Sequence, residues 1–432
     1  MDDVRDTGGT RRVTTGGARV VTTDRHDATD TRTAHGAAER VARASYGRLV
    51  AVLAAPTGDL ALAEDALAGA FEAALSSWPV QGVPQNPEGW LITVARNRQR
   101  DVWKSAAFRA AVPLEDAPAR ADDPFAGLDP ARIPDRRLEL LAVCAHPAID
   151  PAVRAPLMLQ TVMGFEAAQI ATAFAVPPAT MAQRLVRAKR RIKLARIPFE
   201  VPDRTALAER TPALLEAVYG CAAITWRDEV GSLAGEAQYL AVVLATLLGD
   251  DREAWGLAAL TTLSLARRNP QSAFVPLDEQ DPADWDAALL DEGESYLRRA
   301  AAGGAGAPGR FELEAAMQAV HADRRRTGRT DWPALRELSM ALVRVAPSLG
   351  ARVARAAIFG RTDGPDAGLG LLPEASAGQS FQPWWATRAE LLWRAGRADE
   401  ARDAFGRAAE MTDDPGIRAF LSARAGLVIP PG

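Results

Sequence analysis

The sequence predicts an all-α protein, and three observations carry that reading. Apolar residues recur at helical spacing, as at Leu60, Leu67, Phe71, Leu75 and Trp78, which lie 7, 4, 4 and 3 residues apart. The long C-terminal half shows no convincing alternation of apolar and polar residues with the period of a strand. Proline and glycine gather in breaks between the periodic segments, as at 79–88 and 112–135. At 432 residues the chain is long enough for two or three domains. Its 48% hydrophobic and 25% charged residues are those of a globular protein.

Taken in order, residues 1–36 hold six acidic and six basic side chains with almost no large apolar residue, and are expected to be a disordered tail. The segment from about 60 to 78 is an amphipathic helix with Asp59 as its N-cap. The stretch 79–88 carries three prolines and a glycine and is expected to be a loop. A helix from roughly 87 to 108 follows, with Trp90, Leu91, Val94 and Val102 packing inward. Residues 112–135, rich in proline and aspartate, form a flexible linker. Helical segments then occupy about 136–146, 151–163 and 166–196, the last interrupted at 175–178. Beyond Pro198-Phe199 helices continue to the end, with breaks near 249–251, 269–284, 303–309 and 360–366. Gly364 and Gly396 lie 32 residues apart, each between two helical stretches. Trp385, Ala389, Gly396, Ala401, Phe405 and Ala408 have the small and large spacing of a tetratricopeptide (TPR) hairpin, in which small residues let two helices approach.

Composition excludes several classes. No apolar run reaches the roughly 18–20 residues of a membrane helix. Two cysteines, Cys144 and Cys221, make no disulfide framework, which points to a reducing cytoplasm. Cys144 and His146 have no second pair with which to hold zinc, and the acids from Asp278 to Asp284 read as a capped loop. His321 reads as a half-buried structural residue. No nucleophile elbow, P-loop or dinucleotide motif is present, so neither catalysis, a cofactor nor a metal is expected. The net charge of −4 conceals an asymmetry: 26 basic against 23 acidic residues in 1–200, and 25 against 32 in 201–432. The first half is therefore expected to meet a polyanion.

The segment Gln169–Leu185 reads as helix–turn–helix. Ile170, Ala171 and Phe174 pack the first helix, Val176 plugs the turn, and Pro177-Pro178 end one helix and start the next. Met181, Leu185, Ala188 and Ile192 recur at 4, 3 and 4 as the buried face of the second helix. The other face presents Arg184, Arg187 and Arg191, with Lys189, Arg190, Lys193 and Arg196 nearby, and no acidic residue occurs between Ala167 and Phe199. So many cations on one helix repel unless something negative answers them, which a DNA groove does. A second constellation, Trp90–Lys104, lines up Arg96, Arg100 and Lys104 beside Trp103, a combination suited to melted DNA, where bases stack and phosphates pair.

These stretches resemble the extracytoplasmic-function sigma factors of bacterial RNA polymerase. Leu60–Phe71 looks like the domain-two helix that grips the polymerase clamp. Trp90-Leu91, Ala95-Arg96-Asn97 and Asp101 look like the helix facing the minus-10 element, and Arg154–Arg191 like domain four, which reads the minus-35 element. Cys144–Asp150, Met158–Thr161, Phe274–Asp281 and Glu314–His321 are similar to the long subgroup with a TPR-like C-terminal extension, whose members generally lack a membrane anti-sigma factor. The resemblance implies that Glu64, Asp65 and Phe71 bind core polymerase, with the charged pair pointing outward. It implies that Asn86, Arg96, Asn97, Arg100, Trp103 and Lys104 serve the minus-10 element, the loop at 79–88 capturing a flipped base. Thr180, Gln183 and Arg184 then sit as major-groove readers, with Arg187 and Arg191 on phosphates. The sequence departs from the family at Ala68-Gly69, at Pro156 inside the first domain-four helix, at Ala175 in the turn and over 220–230.

The expected architecture is a tail (1–36), sigma domain two (37–111), a linker (112–135), sigma domain four (136–199) and a helical extension (200–432). The partners are core RNA polymerase and promoter DNA, with no membrane, and the acidic extension is expected to dock on the sigma domains or polymerase. Two alternatives stand beside this reading. One is a helix–turn–helix regulator with a TPR-like sensor that does not join polymerase, and the other a TPR-like scaffold without DNA binding.

Overall fold

The computed structural model describes residues 23–110, 130, 133–174, 176–225, 232–268, 274–303, 306–378 and 380–426. Among these residues every regular element is a helix and no strand occurs, so the chain is all-α. No helix among them is long and apolar enough to cross a membrane. The chain divides into two compact units, the first holding the helices before Pro134 and the second nearly everything from Asp135 on.

The first unit contains α1 (Thr23–Ala54), α2 (Leu60–Gln81) and α3 (Pro87–Ala110). The tail expected to be disordered through residue 36 is helical from Thr23, and Ala34, Ala37 and Ala38 are buried. Composition missed this because large apolar residues are scarce there while alanines supply the packing surface. The buried face of α2 is likewise built on small residues: Leu60, Ala63, Leu67, Ala70, Ala74 and Trp78 are buried. Phe71 is only half-buried and Leu75 is exposed, against the expected face. The loop expected from 79 starts three residues later, because α2 runs through Pro79 to Gln81. Pro79 falls in the last turn, where the missing N–H removes a single helical bond. Gly82 then turns the chain at φ +83°.

Asn86 precedes α3, and its Oδ1 accepts from the Gly89 N–H at 2.9 Å. Leu91, Ile92, Ala95 and Gln99 form its buried face, while Val102, expected inside, is exposed. Gln99 takes the inward position because its Nε2 donates to the Leu53 carbonyl of α1 at 3.2 Å. Glu88 reaches α1 as well, accepting from Ser45 and Arg48. Most of the linker at 112–135 lies outside the described residues.

The second unit opens with α4 (Arg137–Cys144), α5 (Pro151–Thr161), α6 (Ala167–Ala173) and α7 (Pro178–Ala195). Asp150 caps α5 through the Ala152 N–H at 3.0 Å, and the helix continues through Pro156, which neither delays nor ends it. Helices α8 (Arg204–Thr225), α9 (Ser232–Leu248) and α10 (Arg252–Leu265) follow. The division expected at 199/200 does not separate compact units, since α8 packs on α4 and α5. The buried Arg210 guanidinium of α8 donates to the Ala142 carbonyl at 2.8 Å.

A 3-10 turn at Pro282–Asp284 leads to α11 (Ala287–Ala302), α12 (Arg310–Ala322), the single turn α13 (Arg324–Thr327), α14 (Trp332–Val345), α15 (Leu349–Thr362), α16 (Pro365–Leu371) and the short α17 (Ala375–Gly378). Helix α10 is the hub, packing on α9, α11 and α12. Gly256 lets α12 approach so closely that a Cβ there would lie 2.5 Å from the Glu312 backbone nitrogen. The acidic excess is spent locally. Asp251, Asp286 and Asp331 cap α10, α11 and α14, and Asp281 caps the 3-10 turn. Asp278 pairs with Arg361, and Glu279 with Arg424 at 2.7 Å.

The last three helices are α18 (Gln382–Arg394), α19 (Ala398–Glu410) and α20 (Pro415–Gly426). The hairpin expected here is present. Ala389, Ala401, Phe405 and Ala408 are buried between α18 and α19, with Trp385 packed against them. Gly396 makes the turn at φ +72°, and Gly364 does the same between α15 and α16 at φ +98°.

Candidate nucleic-acid interface

Helices α6 and α7 build the most distinctive surface. Glu166 opens α6 with a capping box, its own N–H donating to Gln169 Oε1 at 2.9 Å. Ile170 and Ala171 are buried and Phe174 is half-buried. The turn is closed by the Val176 N–H on the Ala171 carbonyl at 2.9 Å, and Pro178 stands first in α7. Ala175 lies outside the described residues. Met181, Leu185, Ala188 and Ile192 are all buried, and α7 packs on α5 and α6 through them. The period-3.6 reading of this helix therefore holds residue by residue.

Most of the polar face is left to solvent, although Lys193 pairs with Asp59 at 2.6 Å. Gln183, Arg187, Arg190, Arg191 and Lys193 are exposed, while Thr180, Arg184 and Lys189 are half-buried. Arg187 Nε donates to the Gln183 carbonyl one turn earlier, at 3.3 Å, which steadies its stem and leaves the rest of the fork outward. The helix ends at Arg196 in the left-handed region, φ 49°, adding a further exposed cation. Val186 and Leu194 are also exposed, two-thirds of each side chain, with Arg190 midway between them. Sequence reading overlooked this mixed stripe, although the spacing of 186, 190 and 194 marks it.

On α3, Asn97 is exposed, Arg96, Arg100 and Trp103 are half-buried, and the Lys104 side chain lies outside the described residues. Asn86 is engaged in structure: besides capping α3, its Nδ2 donates to the Pro130 carbonyl at 3.3 Å. Arg98, exposed and not singled out from the sequence, lies across α2 where Gly69 has no side chain, a physical account of glycine at that position.

On α2, Asp65 is exposed, but Glu64 does not point outward as expected. It is half-buried, with Oε1 shielded from solvent. The Tyr46 hydroxyl of α1 is pushed above the usual tyrosine range by burial and then by Glu64 and Asp65. Phe71 is half-buried.

The remaining candidates have structural partners. Cys144 is buried with its sulfur 3.4 Å from Thr161 Oγ1, and Cys221 is buried too. His146 Nδ1 accepts from the Ala148 N–H at 3.1 Å. Burial, then Arg210 and Arg154, hold its imidazole below the ordinary range. Among the described residues no group of three or more His, Cys, Asp or Glu is placed to hold a metal ion.

Comparison with known proteins adds two matches. Residues 210–301, from α8 into α11, match the model of a family of unknown function, DUF6596. An uncharacterized protein of Rhizobium meliloti (strain 1021) is 34% identical over 378 residues, covering 84% of this chain and 89% of that one. No solved structure matches the chain.

Proposed function

The chain belongs to one family with the Rhizobium meliloti protein, and for this member we propose the role of an extracytoplasmic-function sigma factor that joins core RNA polymerase and starts transcription at its own promoters. One observation carries the reading. Helix α7 buries Met181, Leu185, Ala188 and Ile192 and turns Gln183, Arg187 and Arg191 outward on a segment devoid of acids, as a helix entering a major groove requires. Thr180, Gln183 and Arg184 contact base edges, and Arg187 and Arg191 contact phosphate. Arg96, Asn97, Arg100, Trp103 and Lys104 serve the melted minus-10 strand, and Asp65 and Phe71 meet polymerase. The site of action is the cytoplasm, and the chemistry belongs to polymerase.

One observation favours a second reading, a helix–turn–helix regulator with its own sensor: α4–α7 and the helices after them form one compact unit. Co-purification separates the two. A sigma factor forms a one-to-one complex with core polymerase and supports run-off transcription from its target promoters. Binding to promoter DNA without binding core polymerase overturns the sigma reading and leaves the regulator.

A further inference from the structure

Between α8, α10, α12 and the segment before the 3-10 turn lies a cavity of about 530 Å³, within the range of small-molecule sites. Its floor and walls are mainly apolar, formed by Tyr219, Leu260, Leu265, Phe274 and Leu277. Phe274 and Val275 at its edge are about 40% exposed, an apolar rim left open to solvent.

One buried cation of the lining, Arg267, has no anionic partner among the described residues. Arg267 is more than nine-tenths buried, yet its partners are the Leu263 carbonyl at 3.2 Å, the Gln318 amide oxygen and the face of Trp285. None of these carries a charge. Arg324, its neighbour, donates to the Leu277 and Gln280 carbonyls at 2.6 and 3.0 Å, again neutral acceptors. Burial and the proximity of Arg324 push Arg267 down to about 10. The nearby His321 is held down at about 4 by burial, Arg267 and Arg324. The one carboxylate of the lining, Glu314, is already taken by Arg310, at 3.0 Å from its Nε. A buried guanidinium with no anion is costly, and the cost is relieved when an anion arrives.

We propose that this cavity binds a small amphipathic anion, a carboxylate or phosphate ester on an apolar body, with its head on Arg267 and its body on Leu260, Leu265 and Phe274. The site goes beyond the transcription reading and does not depend on it, since it is read on the free chain.

Calorimetric titration of the full-length protein with octanoate and octyl phosphate tests it, with octanol and octylamine as matched titrants. One anion binds per chain, and the alcohol and amine bind at least tenfold more weakly. Arg267→Gln lowers affinity for the anions at least tenfold, and Ser264→Trp, which fills the cavity, abolishes binding, with circular dichroism confirming helix content. If Arg267→Gln does not fold, Arg267→Met, which keeps the apolar stem and removes the guanidinium, replaces it with at least a tenfold loss expected. Absence of saturable anion binding, equal binding of octanol or octylamine, or undiminished octanoate binding by a folded arginine variant overturns the proposal.

Discussion

Trp78 of α2 meets Trp90 of α3 edge to face, with ring centroids 5.6 Å apart and planes inclined at 66°. Trp78 is almost wholly buried, so the pair clamps α2 onto α3 just before and just after the chain turns at 82–86. Trp78→Ala is expected to destabilise the first unit by about 3–5 kcal/mol, through lost burial and the cavity left behind. Denaturant unfolding checks the magnitude. Near-ultraviolet circular dichroism checks the loss of the coupled indoles.

The two faces of α7 separate stability from affinity. Leu185→Ala is expected to cost about 2–5 kcal/mol of stability because the residue is buried. Arg187→Ala and Arg191→Ala, on exposed positions, are expected to change stability by less than about 0.5 kcal/mol. If the helix lies on DNA, each arginine change also reduces the salt slope of binding by about one. Thermal unfolding and salt-dependent fluorescence anisotropy read the two effects independently.

At Gly396 the penalty is conformational alone. The residue sits at φ +72°, and an added Cβ would meet nothing within 4 Å. Gly396→Ala is therefore expected to lower stability by about 1–2 kcal/mol, and Gly396→Asn by less, since asparagine tolerates the left-handed region. A denaturation series on the two variants distinguishes this from a steric clash, in which the larger asparagine would be worse.

His321 makes the second unit acid-sensitive. Packed edge to face on Trp332, it is held down at about 4 by burial first, then by Arg267 and Arg324, with Asp278 opposing. In the unfolded chain it titrates near 6.5. Between those values the unfolded chain carries a proton that the folded chain lacks, so stability falls as pH drops through that window. The slope is about 1.4 kcal/mol per pH unit. His321→Phe is expected to lose this slope, as urea unfolding at pH 7, 6 and 5 of both proteins tests.

The helix–turn–helix was legible in the sequence because three of its four buried positions, Met181, Leu185 and Ile192, are large apolar residues on a strongly polar helix, where the period stands out. On α2 the same reasoning misplaced Leu75, since alanines carry the buried face and any larger residue nearby attracts the pattern. Val102 and Gln99 exchanged roles for a different reason: a buried amide answered by the Leu53 carbonyl, 46 residues away, leaves no local trace. The wall of Arg267 was out of reach for the same cause. Its meaning comes from Gln318, 51 residues on, and from Arg324 beyond that. A buried arginine and a surface arginine are the same letter until the fold says which acceptors surround them.

The contact at Gly256 has a consequence for how this family can vary. Where α10 meets the backbone of Phe311 and Glu312 there is no side chain left to shorten, so the spacing between the helices is set by main chain against main chain. Such a joint cannot be retuned by trimming or growing a neighbour. Any addition there must pry α12 away and carry its ion pairs with it. The hub of the second unit is thus inherited whole or lost, and diversification is pushed outward to the faces where size is negotiable.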